Sequence, residues 1–591
     1  MITRMRKGLL VMKTNDKGRM TIMTEQELYL RWKENATEDA DLGAELEAIA
    51  GKEADIYDRF YTSLKFGTAG LRGVLGAGTN RMNIYTVRQA TQGMANHLND
   101  TCKNPTAAIA YDSRNKSQLF AEETAAVFAA NGIKVYIYKE LMPTPALSYA
   151  VRELHCDAGV NITASHNPAQ YNGYKAYDET GCQLGPEAAD AVYAYIQKTD
   201  IFDEVKHIPF AEGLEKGMIE YIGDDFVDRY INRVLEEQIN PGICNGAGFK
   251  LVYTPLNGAG RHCVTEMLSR IGIDDVTVVP EQEWPDGNFP TCPYPNPEIL
   301  QAMQLGLDLY EKLDADLLLA TDPDCDRVGA AVRQNGKPRL ISGNEMGVLM
   351  LDYIARSRVE TNTMPPAPIV VRSIVTTNMT DAVAESYGVK VVPVLTGFKF
   401  IGEQIRLLEE KGCPENFLLG YEESYGYLTS GYVRDKDAVD GSLIICEMAA
   451  WYKRQGKTLA DALDDLYAKY GYYRNFVQSM AFEGADGMAK MAAIMDGLRN
   501  DPPAAIGGRQ VEYLSDYGRS VTLRGGEETP IDLPKSNVLE FGVAGAGTVT
   551  VRPSGTEPKI KVYYSLKAAT PEAAEALNKE LMEDINAKMG L

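Results

Sequence analysis

Histidine and tryptophan are scarce in this 591-residue chain, with five and three residues, and its nine cysteines are scattered from Cys102 to Cys446 without a CxxC pair. That spacing excludes zinc fingers and ribbons, and an odd, dispersed set does not build a disulfide scaffold; it suits a reducing cytoplasm. Basic residues are also outnumbered, 60 Lys+Arg against 82 Asp+Glu, for a net charge of −22. Such a surface exerts no long-range pull on polyanions, which argues against general nucleic-acid or anionic-membrane binding. No apolar run approaches the ~20 residues that a membrane helix needs. An anionic ligand would have to be met by cations assembled locally.

What is present is ordinary for a folded protein: 45% hydrophobic and 24% charged residues. At ~150 residues per domain the length predicts about four domains. Residues 1–22 stand apart, with Arg4, Arg6, Lys7, Lys13, Lys17 and Arg19 against Asp16, a local +5 that leaves −27 for the rest. The apolar stretch Gly8–Met12 is shorter than the ~7–15 residues of a secretory core. The segment reads as a disordered leader, or as a start placed upstream of Met12, Met20 or Met23. A transit peptide is disfavoured by the lack of serine.

After a helical opening from Glu25 to Lys65, one pattern recurs three times: an apolar strand, a polar turn, an amphipathic helix, a glycine and a β-branched strand. It runs from Ala107 to Val135, from Lys250 to Ile273 and from Ile369 to Val391. Each is a βαβ unit with glycine where the helix ends, and three such units predict three related α/β domains. From Tyr472 the texture changes to short strands, Gly-rich turns, a helix around Met488–Leu498 and a closing helix with Thr570 as N-cap and Pro571 at its first position. This predicts a smaller α+β fourth domain. The expected boundaries are 23–225, 226–341, 342–471 and 472–591. The proline-rich stretches Trp284–Pro297 and Met364–Pro368 read as surface loops without chemistry.

Five segments could carry chemistry. In Leu317–Arg327 an apolar strand ends in Asp322, Asp324 and Asp326, alternate carboxylates that converge on a hard cation if the loop curls back. An EF-hand would place Gly sixth and Glu twelfth, where Arg327 and Arg333 stand. Three acids with sites left for an anionic oxygen suit Mg²⁺ in company with phosphate. In Gly159–Pro168 a strand runs into Ser165, which small and turn-forming neighbours would expose, with Lys175 ten residues on after an Asn172-Gly173 turn. This reads as a nucleophile or phosphate carrier with a cationic acid/base; without a Gly-x-Ser-x-Gly elbow, acyl transfer is disfavoured. Lys65–Gly73 is a flexible Gly-rich stretch with Arg72, not a Walker A loop. Val551–Lys559 puts Arg552, Ser554, Gly555, Thr556 and Lys559 in a turn between strands, an anion nest. Gly420–Gly426 offers Glu422 and Ser424 as acceptors for sugar hydroxyls.

Taken together and in order, Thr-Ala-Ser-His-Asn-Pro, Asp-Pro-Asp-Cys-Asp-Arg, Glu-Glu-Ser and Arg-Pro-Ser-Gly-Thr-Glu-Pro resemble the α-D-phosphohexomutases, in their phosphoglucomutase-like branch, over nearly the whole chain. The resemblance implies an α/β fold of four domains around a central cleft, three of them related and the C-terminal one smaller and α+β. It implies that Ser165 is phosphorylated and that Asp322, Asp324 and Asp326, with an oxygen on Ser165, bind Mg²⁺. Arg72, Lys175 and Arg327 would surround the transferring phosphoryl group, with His166 beside them and Lys175 exchanging a proton with the sugar. Lys399, Glu422 and Ser424 would hold the sugar; Arg552, Ser554, Gly555, Thr556 and Lys559 would grip the second phosphate. The implied reaction interconverts glucose 1-phosphate and glucose 6-phosphate through glucose 1,6-bisphosphate, which also serves as activator, in a cytoplasmic monomer or weak homodimer.

Two departures stand out: Tyr425-Gly426 replaces the Gly-His that follows the sugar loop in many relatives, and Pro323 and Cys325 replace glycines of the metal loop. Cys325 beside the cation would make the site oxidation-sensitive. Mannose phosphate is an alternative substrate, as is a pentose phosphate, acted on by the subfamily whose long N-terminal extension this chain shares. A phosphatase with an aspartyl nucleophile at Asp322 or Asp324 and a non-enzymatic sugar-phosphate binder are readings of other classes.

Overall fold

The computed structural model describes residues 12–14, 20–67, 70–482, 487–554 and 559–591. Its contacts divide the chain into two compact units. The first comprises residues 1–238, 248–330 and 431–443; the second comprises 239–247, 331–430 and 444–591.

In the first unit the helices Glu25–Asn35, Ala40–Ala48 and Glu53–Phe60 open the fold, the first held by a capping box between Thr24 and Glu27. A six-stranded sheet follows, in the order Gly70–Val74, Tyr171–Asp178, Ala158–Ile162, Thr106–Tyr111, Lys134–Tyr138 and Ile219–Ile222. The four strands from Ala158–Ile162 to Ile219–Ile222 are parallel, and Tyr171–Asp178 runs antiparallel to both of its neighbours, Ala158–Ile162 and Gly70–Val74. The near-continuous apolar runs of the central strands match burial on both faces. The same unit holds the parallel strands Val276–Val278, Leu251–Thr254 and Leu317–Thr321.

The second unit holds a sheet of Lys390–Val394, Ile369–Ser373, Phe417–Glu422 and Gly426–Leu428, parallel except for the last strand. Its C-terminal part is an antiparallel sheet of eight strands between Tyr472 and Ala568, covered by the helices Gly487–Asn500 and Pro571–Lys588. Thr570 caps the closing helix through the Ala573 N–H, as the sequence predicts.

The three expected βαβ repeats are present and end their helices alike. Gly132, Gly272 and Gly388 take φ of +78°, +83° and +66°. The next residues, Ile133, Ile273 and Val389, each donate to the carbonyl five positions back, Phe128, Leu268 and Ala384, at 3.0 Å. This is the Schellman closure that only glycine adopts without strain.

Two expectations of loop structure are corrected. Gly70–Val74, read as flexible, is a strand paired with Tyr171–Asp178. Asn172-Gly173, read as a turn, lies within that partner strand. Gly173 serves close packing, since a Cβ there would stand 2.5 Å from the Thr163 carbonyl. Of the expected leader, Met12–Thr14 and Met20–Ile22 pair as antiparallel strands, regular structure where none was expected; residues 1–11 and 15–19 lie outside the described residues. Among the described residues no helix is long and apolar enough to cross a membrane.

Candidate active site

The chemistry of the first unit gathers where the strands Leu317–Thr321 and Ala158–Ile162 end. The acidic loop curls back as its spacing requires. Asp322 Oδ1 accepts the backbone N–H of Asp326 (3.1 Å) and Arg327 (3.0 Å), and Cys325 turns the chain at φ +51°. The three carboxylates each offer an oxygen within 4.8 Å of the others, and all three residues are buried.

Their remaining oxygens divide between cations and vacancy of partners. Asp324 Oδ2 receives Lys175 Nζ (2.7 Å) and Thr144 Oγ1 (3.0 Å); Asp326 Oδ2 receives Lys436 Nζ (3.0 Å) and Lys175 Nζ (3.3 Å). Asp324 Oδ1 and Asp326 Oδ1 are buried without a hydrogen-bond partner. Buried carboxylate oxygens are costly to leave unpaired. An all-oxygen donor set of three acids with two unsatisfied oxygens fits a hard divalent cation.

The electrostatics agree. Burial, together with Asp324 and Asp326 beside it, drives the Asp322 carboxyl well above the usual range. Burial pushes Asp324 and Asp326 the same way, but the ammonium groups of Lys175 and Lys436 outweigh it and hold both below the usual value. Burial opposes charge on Lys175, yet Asp324 and Asp326 raise it above an ordinary lysine.

Ser165 stands over this cluster, its Oγ 3.2 Å from Asp322 Oδ2 and 3.1 Å from His166 Nδ1. It is not exposed as the small neighbours suggested: only 4% of its surface is accessible, because its loop folds inward at φ +53°. Burial first, then the charges of Arg327 and Arg72, push His166 far below an ordinary imidazole, so it is neutral.

Arg72 and Lys175 come to one face of the sheet edge, since Gly70 pairs with Lys175 and Arg72 with Gly173. Arg72 reaches Asn167 Oδ1 at 3.3 Å. Arg327 lies 3.8 Å from Asp326 Oδ1 and pairs with Glu298 at 2.7 Å. Cys325 is buried. Its sulfur packs against Gly260, and burial raises its thiol well above the normal value, which suppresses the reactive thiolate.

The sequence reading missed Lys436, Thr144 and the pair Asp112 and Arg114. Lys436 lies in Gly431–Asp437, a strap pinned to the unit by Tyr177 and Tyr230, whose hydroxyls donate to Asp435 (2.7 Å) and Asp437 (2.8 Å). The dense charge of Arg434-Asp435-Lys436-Asp437 was the available signal.

In the second unit, Glu422 is buried and accepts the Gly397 N–H at 2.7 Å, two residues before Lys399. The loop Glu423-Ser424-Tyr425 closes the hairpin in which Glu422 pairs with Gly426, and Tyr425 turns at φ +66°. Arg552 lies on the strand Gly547–Pro553. Its charge and those of the two glutamates act on Tyr563, whose phenol is pushed up to about 12 by burial and then by Glu423, against the pull of Arg552, with Glu422 adding a smaller push. Ser554 N–H bonds the Lys559 carbonyl at 2.7 Å; Gly555 and Thr556, and with them the expected turn, lie outside the described residues.

Comparison with known proteins agrees with this arrangement. Models of the phosphoglucomutase/phosphomannomutase family match in series: α/β/α domain I at 63–201, domain II at 228–336, domain III at 342–470 and the C-terminal domain at 509–583. A phosphoglucomutase of Staphylococcus saprophyticus is 36% identical over 507 residues, 85% of this chain and 90% of its own. One from Staphylococcus aureus is 37% identical over 525 residues, 87% and 92% of the two chains. Among solved structures, the open form of Paramecium parafusin superposes with a TM-score of 0.66 at 17% identity, covering 90% of this chain and 97% of its own. At that identity the likeness speaks for the fold. With all four domain models matched in order and relatives aligned over most of its length, the chain belongs to the phosphoglucomutase/phosphomannomutase family.

Proposed function

We propose that this protein is a phosphoglucomutase, an isomerase that interconverts α-D-glucose 1-phosphate and glucose 6-phosphate through a phosphoserine and glucose 1,6-bisphosphate. The observation that carries the reading is Ser165 Oγ standing 3.2 Å from Asp322 in a buried triad of carboxylates ringed by cations. Asp322, Asp324 and Asp326 would hold Mg²⁺, which when bound offsets negative charge on the phosphoryl oxygens.

Ser165 Oγ carries the phosphoryl group. Its O–P bond breaks as a hydroxyl of the sugar monophosphate forms a new one, and the hydroxyl proton passes to the protein. Lys175, which the site keeps as an ammonium, is the group proposed to exchange that proton: it gives one to the leaving Ser165 Oγ and takes up the one that the sugar hydroxyl releases, and Lys436 shares its position over the triad. Arg72, Lys175 and Arg327 stabilise charge on the equatorial oxygens, where catalysis of phosphoryl transfer is mostly electrostatic and positional. Neutral His166 donates to or accepts from Ser165 Oγ without adding repulsive charge. The bisphosphate then presents its other phosphate to Ser165, which takes it back.

Lys399, Glu422 and Ser424 hold the sugar, and Arg552, Ser554, Gly555, Thr556 and Lys559 hold the phosphate that is not reacting. The buried carboxylate of Glu422 and the opposed charges of Glu423 and Arg552 felt at Tyr563 support this. The proposed domain boundaries, 23–225, 226–341, 342–471 and 472–591, accord with the four matched segments. The nine cysteines, all free, accord with a cytoplasmic setting.

The test supplies Mg²⁺, glucose 1-phosphate and a trace of glucose 1,6-bisphosphate, and follows glucose 6-phosphate and inorganic phosphate together. Isomerisation without phosphate release, abolished in Ser165→Ala, is expected. Turnover that survives this substitution refutes the mechanism, and phosphate release identifies a phosphatase. Mannose 1-phosphate and ribose 1-phosphate in the same assay rank the substrates.

A further inference from the structure

Arg114 has no part in the chemistry above, yet its side chain is wholly buried beside the site. A buried guanidinium ordinarily spends its fork on a carboxylate. Here Asp112 lies 3.4 Å from Nε, and both terminal nitrogens turn instead to main-chain carbonyls. One donates to Pro168 (3.0 Å) and Tyr171 (3.1 Å), the other to Ser165 and Asn167. A single planar group thus gathers four carbonyls of the segment 165–171.

That segment needs holding. Ser165 sits at φ +53°, a conformation an ordinary residue keeps only where its surroundings over-determine it. Its N–H bonds Thr163 Oγ1 (2.8 Å), and Thr163 in turn donates to Asp112 (2.7 Å), so the turn Asp112–Arg114 grips the loop from both sides. The proline-rich stretch left without chemistry closes over this device. Phe289, 1% exposed, lays its ring 5.1 Å from the Arg114 guanidinium. Asn288 accepts from Asn115 at 2.9 Å, and a Cβ on Gly287 would strike the Asn115 nitrogen at 2.3 Å.

We propose that Arg114 is the positioning residue for Ser165, fixing its hydroxyl for phosphoryl transfer through four carbonyls, and that Phe289 holds the guanidinium in place. Arg114 touches neither sugar nor phosphate, and it acts by geometry alone. The inference rests on Ser165 as phosphoryl carrier.

Arg114→Lys keeps the charge but loses the planar fork. Displacing a reacting group by ~1 Å costs on the order of 100-fold, so kcat should fall about that much while KM for glucose 1-phosphate stays within about threefold. Phe289→Ala, which leaves the fork uncovered, should lower kcat by about 10-fold in the same manner. Amide exchange should quicken in residues 163–171 and not across the unit. Intact mass of the parent enzyme separates the two readings. If Ser165 carries no phosphoryl group, the mutase assignment fails. If Ser165 is phosphorylated and the folded variants turn over at the parental kcat, the positioning role is overturned. Loss of thermal stability without loss of kcat per folded molecule overturns it as well. Should Arg114→Lys not fold, Phe289→Ala decides alone.

Discussion

Glu447, on the helix Ala438–Lys453, is fully buried and accepts two backbone N–H groups, from Ile239 at 2.9 Å and Asn240 at 3.1 Å. Burial raises its carboxyl from 4.5 to about 7, against the pull of those two donors. The folded state therefore binds a proton that the unfolded chain has already released between these values. Stability from this group is fully present below pH 4.5 and is lost as the pH rises to about 7. At ~1.4 kcal/mol per pH unit the loss is about 3 kcal/mol.

The groups facing it do not titrate in that window. Burial lifts Cys244 to about 12 and Cys446 far above its normal value, and Tyr353 rises as well. Glu447→Gln stays neutral at every pH and keeps one acceptor. Scanning calorimetry of both proteins from pH 4.5 to 8 should show the variant gaining on the wild type by roughly 6–12 °C, taking ~2–4 °C per kcal/mol for a unit of this size. Parallel profiles would refute the assignment of a neutral, buried acid at this position.

Lys436→Met removes an ammonium from Asp326 Oδ2 and should lower kcat by roughly 10²–10³-fold, measured with saturating glucose 1-phosphate. Thr144→Val removes the hydroxyl 3.0 Å from Asp324 Oδ2; the apparent affinity for Mn²⁺, read by electron paramagnetic resonance of the free ion, should drop by roughly 10–100-fold. Gly173→Ala forces a methyl to 2.5 Å from the Thr163 carbonyl, where backbone cannot yield, and should cost about 1–3 kcal/mol in unfolding together with most of the activity. Chelation with EDTA should abolish turnover and lower the thermal midpoint, both restored by Mg²⁺.

The sequence exposes those parts of this molecule whose chemistry is local. The βαβ repeats are legible because glycine is required at φ near +70° where each helix turns into a strand. The acidic loop is legible because alternation on a short turn is enough to converge three carboxylates. Gly173 was misread because Asn-Gly is as good a signal for a turn as for a bare spot under another chain segment; only the Thr163 carbonyl distinguishes them. Lys436 and Thr144 were invisible for a different reason. They reach the triad from segments 110 and 180 residues away, positions that only the folded chain brings together.

The charge balance shows what this long-range assembly accomplishes. A chain of net charge −22 has no surplus cations to scatter, and around the triad it places Lys175, Lys436, Arg327 and, one shell further out, Arg72 and Arg114. The division among them follows their chemistry. Lysines, as compact point charges, sit on the carboxylate oxygens; arginines, with planar forks, take the loop carbonyls and the outer acid Glu298. Exchanging the two types should then fail in opposite ways. Lys175→Arg overfills the space at Asp324 and should weaken cation binding, whereas Arg114→Lys should leave cation binding intact and release the Ser165 loop. Manganese titration of the two variants separates these outcomes, and equal loss of affinity in both would show that charge alone, not shape, organises the site.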